Sequence, residues 1–114
     1  MSPDELNTLI TEALDNLKGK EITSLNVRDL SDVMDTMIIA SGTSTRHVKS
    51  LADNVVQEAK KQGMQPLGSE GIEAGDWVLV DFGDTVVHVM LEETRTFYDL
   101  EKLWSTEPAG RSGN

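Results

Sequence analysis

The chain has no cysteine, so disulfides and thiolate metal sites are excluded. Basic residues are scarce: ten Lys and Arg stand against twenty Asp and Glu, a net charge of −10. Such a surface is repelled by phosphate backbones and drawn to basic partners, so direct nucleic-acid binding is not expected. Any work at a ribosome would run through a basic protein. No apolar run approaches the ~20 residues of a membrane span, and no basic-then-apolar signal pattern opens the chain. A cytoplasmic protein is therefore expected. Aromatics are few: two Trp, one Tyr and two Phe among 114 residues. All five lie between Trp77 and Trp104, which marks that stretch as a place for a binding surface. The length suits one domain that buries a core without staples.

What is present is clearest from Asp76 to Leu91. Two β-rich runs, Asp76-Trp77-Val78-Leu79-Val80-Asp81-Phe82 and Thr85-Val86-Val87-His88-Val89-Met90-Leu91, flank Gly83-Asp84. A two-residue turn with Gly83 at positive φ sets Phe82 opposite Thr85, Leu79 opposite His88 and Trp77 opposite Met90. Side chains alternate across a strand, so Val78, Val80, Phe82, Thr85, Val87 and Val89 share one nearly apolar face, the better core. Trp77, Leu79, Asp81, Val86, His88 and Met90 share the other. Two readings of that second face stay open. Either a helix covers it and Trp77 is a core residue, or it is partly uncovered with Trp77 and Met90 at its edge. An unpartnered buried charge is costly, and Asp81 and His88 argue against a dry interior there.

Elsewhere the order is α-β-β-α-(β)-β-β-α. Ser2-Pro3-Asp4-Glu5 is a capping-box start, and Leu6, Leu9, Ile10, Ala13, Leu14 and Leu17 recur at helical spacing up to a C-terminal Gly19. Ile22 to Val27 reads as a strand, with Leu25 and Val27 on one side, and Thr36 to Ala40 as a buried strand. Thr43 or Ser44 caps a second helix striped by Val48, Leu51, Ala52, Val55, Val56 and Ala59, and Gly63 stops it. Pro66 to Gly75 is a loop with a short edge strand near Leu67. A final helix is expected from Glu93 to Trp104, with Phe97, Leu100 and Trp104 facing the core and Tyr98 at a buried–exposed boundary. Residues 105–114 read as a disordered tail outside a domain of residues 1–104. The fold class is α/β (α+β): one domain, a mixed five-stranded sheet and flanking helices.

No catalytic set emerges. Ser41-Gly42-Thr43-Ser44-Thr45-Arg46-His47 offers backbone N–H groups at a helix start that could hold an anion, but lacks the spacing and lysine of a P-loop. Its hydroxyls are ordinary helix caps. His47 and His88 lack a spaced third ligand for a metal, and His47 reads as a solvent-facing residue of the first helical turn. His88 is either a hydrogen-bonded strand residue or part of a binding face. Asp81 and Asp84 fit turn chemistry better than a two-metal site. No cofactor is called for. Tyr98 and Trp77 combine apolar area with a polar tip, as interface anchors do.

The segments Asp35-Thr36-Met37-Ile38-Ile39-Ala40-Ser41-Gly42-Thr43-Ser44-Thr45-Arg46-His47-Val48, Pro66-Leu67-Gly68-Ser69-Glu70-Gly71, Asp76-Trp77-Val78-Leu79-Val80-Asp81, Val87-His88-Val89-Met90 and Tyr98-Asp99-Leu100-Glu101-Lys102-Leu103-Trp104 resemble the ribosomal silencing factor family, also called RsfS or Iojap. The match runs in order from about Leu6 to Trp104, departing at Met37 and Ile38, where members often carry aromatics. The resemblance implies a nucleotidyltransferase-like topology without that class's catalytic signature, hence a non-enzyme. It implies a translational repressor that binds the large ribosomal subunit through its basic fourteenth protein, blocks docking of the small subunit under nutrient limitation, and is a homodimer when free. Carried over, the partner surface falls on Trp77, Leu79, Met90 and Tyr98, flanked by Glu93 and Arg95. Rival expectations are a nucleotide-binding transferase and a large-subunit assembly factor.

Overall fold

The structure is a computed structural model that describes residues 2–103. Trp104 and the stretch 105–114, expected as the end of a helix and a disordered tail, lie outside the described residues. Helix α1 (Pro3–Asn16) begins as its sequence dictates: Ser2 Oγ accepts from the Glu5 N–H, and the Glu5 carboxylate accepts from the Ser2 N–H. That reciprocal bond holds the Glu5 carboxyl below its ordinary range. The helix ends in a Schellman turn, but the left-handed residue is Lys18 (φ 64°) and not the expected Gly19. Gly19 sits one place later, its N–H bonded to the Leu14 carbonyl, where an added Cβ would crowd that oxygen at 2.9 Å.

Strands β1 (Lys20–Asn26), β2 (Thr36–Gly42), β3 (Gly68–Glu70), β4 (Trp77–Asp81) and β5 (Thr85–Leu91) form one sheet in the order β1-β2-β5-β4-β3. β2 and β5 run parallel at its centre, and every other pairing is antiparallel. The β4–β5 hairpin has the register that alternation predicts, Trp77 against Met90 through Asp81 against Val86. Gly83 closes the turn at φ 95°. Helix α2 (Thr45–Lys61), capped by Ser44, fills the connection after β2.

The core is split by the sheet. On one face α1 and α2 press Leu6, Ile10, Leu14, Val48, Leu51 and Val55 against Ile38, Val78, Val80, Val87 and Val89. Each such fully buried aliphatic contributes roughly 1.5–3 kcal/mol of transfer free energy. Asn54 donates to the Ala13 carbonyl at 2.8 Å and locks the two helices together. On the other face a smaller cluster of Val27, Met37, Ile39, Met90 and Leu100 is covered by the C-terminal segment. Met37 and Ile38, the departures from family habit, are both buried, one on each face.

The expected single last helix is two. Helix α3 (Glu92–Tyr98) stops at Asp99, whose backbone is left-handed (φ 51°), and α4 (Leu100–Leu103) restarts in a new direction. Asp tolerates that conformation better than most residues, and its N–H caps the Arg95 carbonyl at 2.8 Å. The break explains a correction. An unbroken helix would turn Phe97 and Leu100 inward together. Leu100 is buried, whereas Phe97 is 81% exposed.

Candidate functional site

The second face of the hairpin is where the sequence left two readings open, and each proves half right. Trp77 is half-buried, leaning on the small cluster with one side to solvent. Its indole N–H donates to His88 Nδ1 at 2.9 Å, across the strand pair and one step along. Its ring lies 4.8 Å from that of Tyr98, which is half exposed, and Tyr98 meets Phe97 edge-on at 5.0 Å. Strand β4 and helix α3 thus assemble an aromatic row, Trp77–Tyr98–Phe97, along one edge of the molecule. Leu79 lies beside it, half-buried, and shares a shallow hollow with Trp77, Gly71, Glu70 and Asp76. Gly71 must be glycine: at φ 83° an added Cβ would run into the Trp77 carbonyl.

Two expected members of the partner surface are not at the surface. Met90 is fully buried beneath Trp77, because α3 and α4 cover that part of the sheet. Arg95 is also buried, at 6% exposure. Its Nε and Nη2 fork onto the Glu101 carboxylate at 2.9 Å each, Nη1 donates to Ser41 Oγ at 3.0 Å, and Nη2 donates to Thr23 Oγ1 at 3.2 Å. The guanidinium therefore bolts α3 to α4, β2 and β1. It holds the Glu101 carboxyl below its ordinary range, chiefly through that hydrogen bond. Glu93 is exposed on α3 as expected, and Phe97 is the surface aromatic that helical spacing had assigned to the core.

The rim is acidic. Glu70 and Asp76 share the hollow with Trp77 and Leu79, and Glu93 is exposed on α3 one turn before Phe97. Potential of that sign attracts cationic groups and repels phosphates.

His88 is a hydrogen-bonded strand residue, and burial drives its pKa down to about 4. Folding thus favours its neutral form, whose Nδ1 accepts from Trp77. The unfolded chain takes up a proton near pH 6.5, so this stability is complete above pH 6.5 and drains away as the pH falls through 4. The loss should total about 3 kcal/mol. We expect the urea midpoint to fall between pH 7 and pH 4.5, and His88→Gln, which keeps an acceptor but cannot titrate, to flatten that slope.

In the turn at Ser41 to His47, Thr43, Ser44 and His47 hold the start of α2. Ser44 Oγ accepts from the His47 N–H, His47 Nδ1 accepts from the Thr43 N–H at 2.9 Å, and His47 Nε2 donates to the Leu17 carbonyl at 2.7 Å. The ring is half-buried and ties the end of α1 to the start of α2, where a solvent-facing residue was expected. Asp81 Oδ1 accepts from the Gly83 N–H at 2.8 Å, as ordinary turn chemistry predicts. Among the described residues no three His, Asp or Glu side chains gather in a way that could hold a metal. No described helix is long and apolar enough to cross a membrane.

Known proteins carry the same pattern. A family model described as "Ribosomal silencing factor during starvation" matches residues 1–113. Ribosomal silencing factor RsfS of Chromobacterium violaceum is 48% identical over 104 residues, covering 91% of this chain and 85% of that protein. An X-ray structure of a protein from the same organism superposes with a TM-score of 0.91 at 47% identity, covering 94% of this chain and 89% of the other. A mouse protein, "Mitochondrial assembly of ribosomal large subunit protein 1", is 38% identical over 100 residues, which is 85% of this chain but 44% of that protein. Family model, sequence identity and superposition agree, and the chain belongs to the ribosomal silencing factor family.

Proposed function

We propose that this protein is a translational repressor that docks on the large ribosomal subunit through that subunit's basic fourteenth protein. Occupying that site, it keeps the small subunit from joining and lowers translation when nutrients are scarce. It works as a steric wedge in the cytoplasm, without catalysis, cofactor or direct contact with nucleic acid, and is a homodimer when free. The observation that carries the reading is the acid-rimmed aromatic row on Trp77 and Tyr98. A net charge of −10 fits a basic protein partner and disfavours RNA. Leu79 and Glu93 flank the row and complete the proposed contact, with Met90 supporting Trp77 from below and Arg95 fixing α3 from within.

The deciding experiment is light scattering on mixed small and large subunits. Stoichiometric protein should suppress formation of the joined particle, and joining at the control rate and extent would refute the wedge.

A second reading is favoured by the mouse relative, whose name concerns assembly of the large subunit. On that reading the protein binds large subunits during their construction and leaves joining untouched. The same assay separates the two, since an assembly factor binds but leaves the scattering signal intact.

A further inference from the structure

Helix α3 inverts the ordinary amphipathic arrangement. A surface helix buries its apolar side chains and shows its charged ones to water. Here the cation Arg95 is buried, and the large aromatic Phe97 is 81% exposed. The inversion is actively held. Four hydrogen bonds fasten the Arg95 guanidinium, and the left-handed Asp99 stops the helix just after Tyr98. Keeping a Phe side chain in water forgoes the favourable transfer free energy of burying it. The ring meets Tyr98 edge-on, and Trp77 in turn backs Tyr98. A solvent-exposed aromatic at the end of an aromatic row has the properties of an interface anchor.

We propose that Phe97 is the outermost anchor of the docking surface and that its ring enters an apolar pocket on the basic large-subunit protein. The inference rests on the function proposed above and extends its contact surface past Tyr98 onto the far side of α3. Glu93 is exposed one helical turn before Phe97 on α3, so the receiving pocket is aliphatic or aromatic at its floor and bears Lys or Arg at its lip. The other described phenylalanine, Phe82, is buried in the core and takes no part.

The test is a titration of the purified full chain, fluorescently labelled, with large ribosomal subunits. Four proteins are compared: the unaltered chain, Phe97→Ala, Phe97→Leu and Trp77→Ala, each first shown to melt cooperatively. Phe97→Ala should weaken binding about tenfold or more, and Phe97→Leu, which retains apolar bulk for the pocket, should stay within about threefold. Unchanged affinity for Phe97→Ala, with Trp77→Ala still impaired, overturns the proposal and leaves the proposed function standing. Equal losses for Ala and Leu overturn it too, by showing that the ring serves only to hold Tyr98. If Phe97→Ala weakens self-association in sedimentation equilibrium but not subunit binding, the occupant is a second copy and the proposal fails. An unaltered chain that binds no large subunits removes both this inference and the function beneath it.

Discussion

Replacing Trp77 and Tyr98 together by alanine should abolish co-sedimentation with large ribosomal subunits. Tyr98 is half exposed, Trp77 is partly buried beside it, and their ring centroids lie 4.8 Å apart, so the pair presents one continuous surface to a partner. Truncating such an anchor costs ~2 kcal/mol or more, about thirtyfold in affinity. Because the rings touch, the double variant should lose less than the two single losses multiplied. The folded state should persist, since the floor beneath the rings is made by Met37, Ile39, Met90 and Leu100, which are unaltered. Trp77→Ala does remove the donor to His88, so stability must be measured alongside. A double variant that melts cooperatively and still pellets with large subunits would reject this surface.

The second large effect is on stability. Arg95→Ala should cost about 3 kcal/mol, and Arg95→Lys should recover little of it. The guanidinium uses its planar fork on Glu101 and still reaches Ser41 and Thr23. A lysine ammonium can satisfy one of those partners but not the fork, and its buried charge would remain. Alanine removes the charge but leaves a cavity and the buried Ser41 hydroxyl without its donor. Breaking a buried ion pair from one side commonly costs ~3–5 kcal/mol, and the partial exposure of Glu101 places this case at the low end. Urea unfolding reads the total. Amide exchange locates it: protection should fall first in α3 and α4, with β2 and β5 affected only by the global loss. Unchanged protection in α3 would show that the segment is held by Leu100 and Trp77 packing instead.

How much of this was legible in the chain depends on how local each signal is. The α1 cap is written in four consecutive residues, and the structure reproduces it. The hairpin register follows from a glycine-led turn and strict alternation, which together leave one solution. Alternation also separates the two faces correctly, but says nothing about what lies over them. Met90 was therefore placed on an open patch when α3 and α4 in fact cover it. The Arg95 error has the same root. Its partners Thr23 and Ser41 are 72 and 54 residues away in sequence, so no window of spacing could reveal that a cation goes inside. Phe97 was misassigned because helical periodicity was carried through Asp99. An Asp between two short apolar stretches is a weak stop signal, and only the observed left-handed backbone makes it decisive. Trp77, Leu79, Glu93 and Tyr98 reach solvent as the sequence predicts, and Phe97 does so against its spacing.

The parallel pairing of β2 with β5, Thr36 beside Thr85 through Gly42 beside Leu91, joins the early and late parts of the chain at the centre of the sheet. A nascent copy emerging from synthesis therefore holds β2 without its neighbour until β5 has been made, and α3 cannot seat until β5 has joined. Half-made molecules have no aromatic edge to offer. That edge exists only on a completed chain, however early its first strands are made.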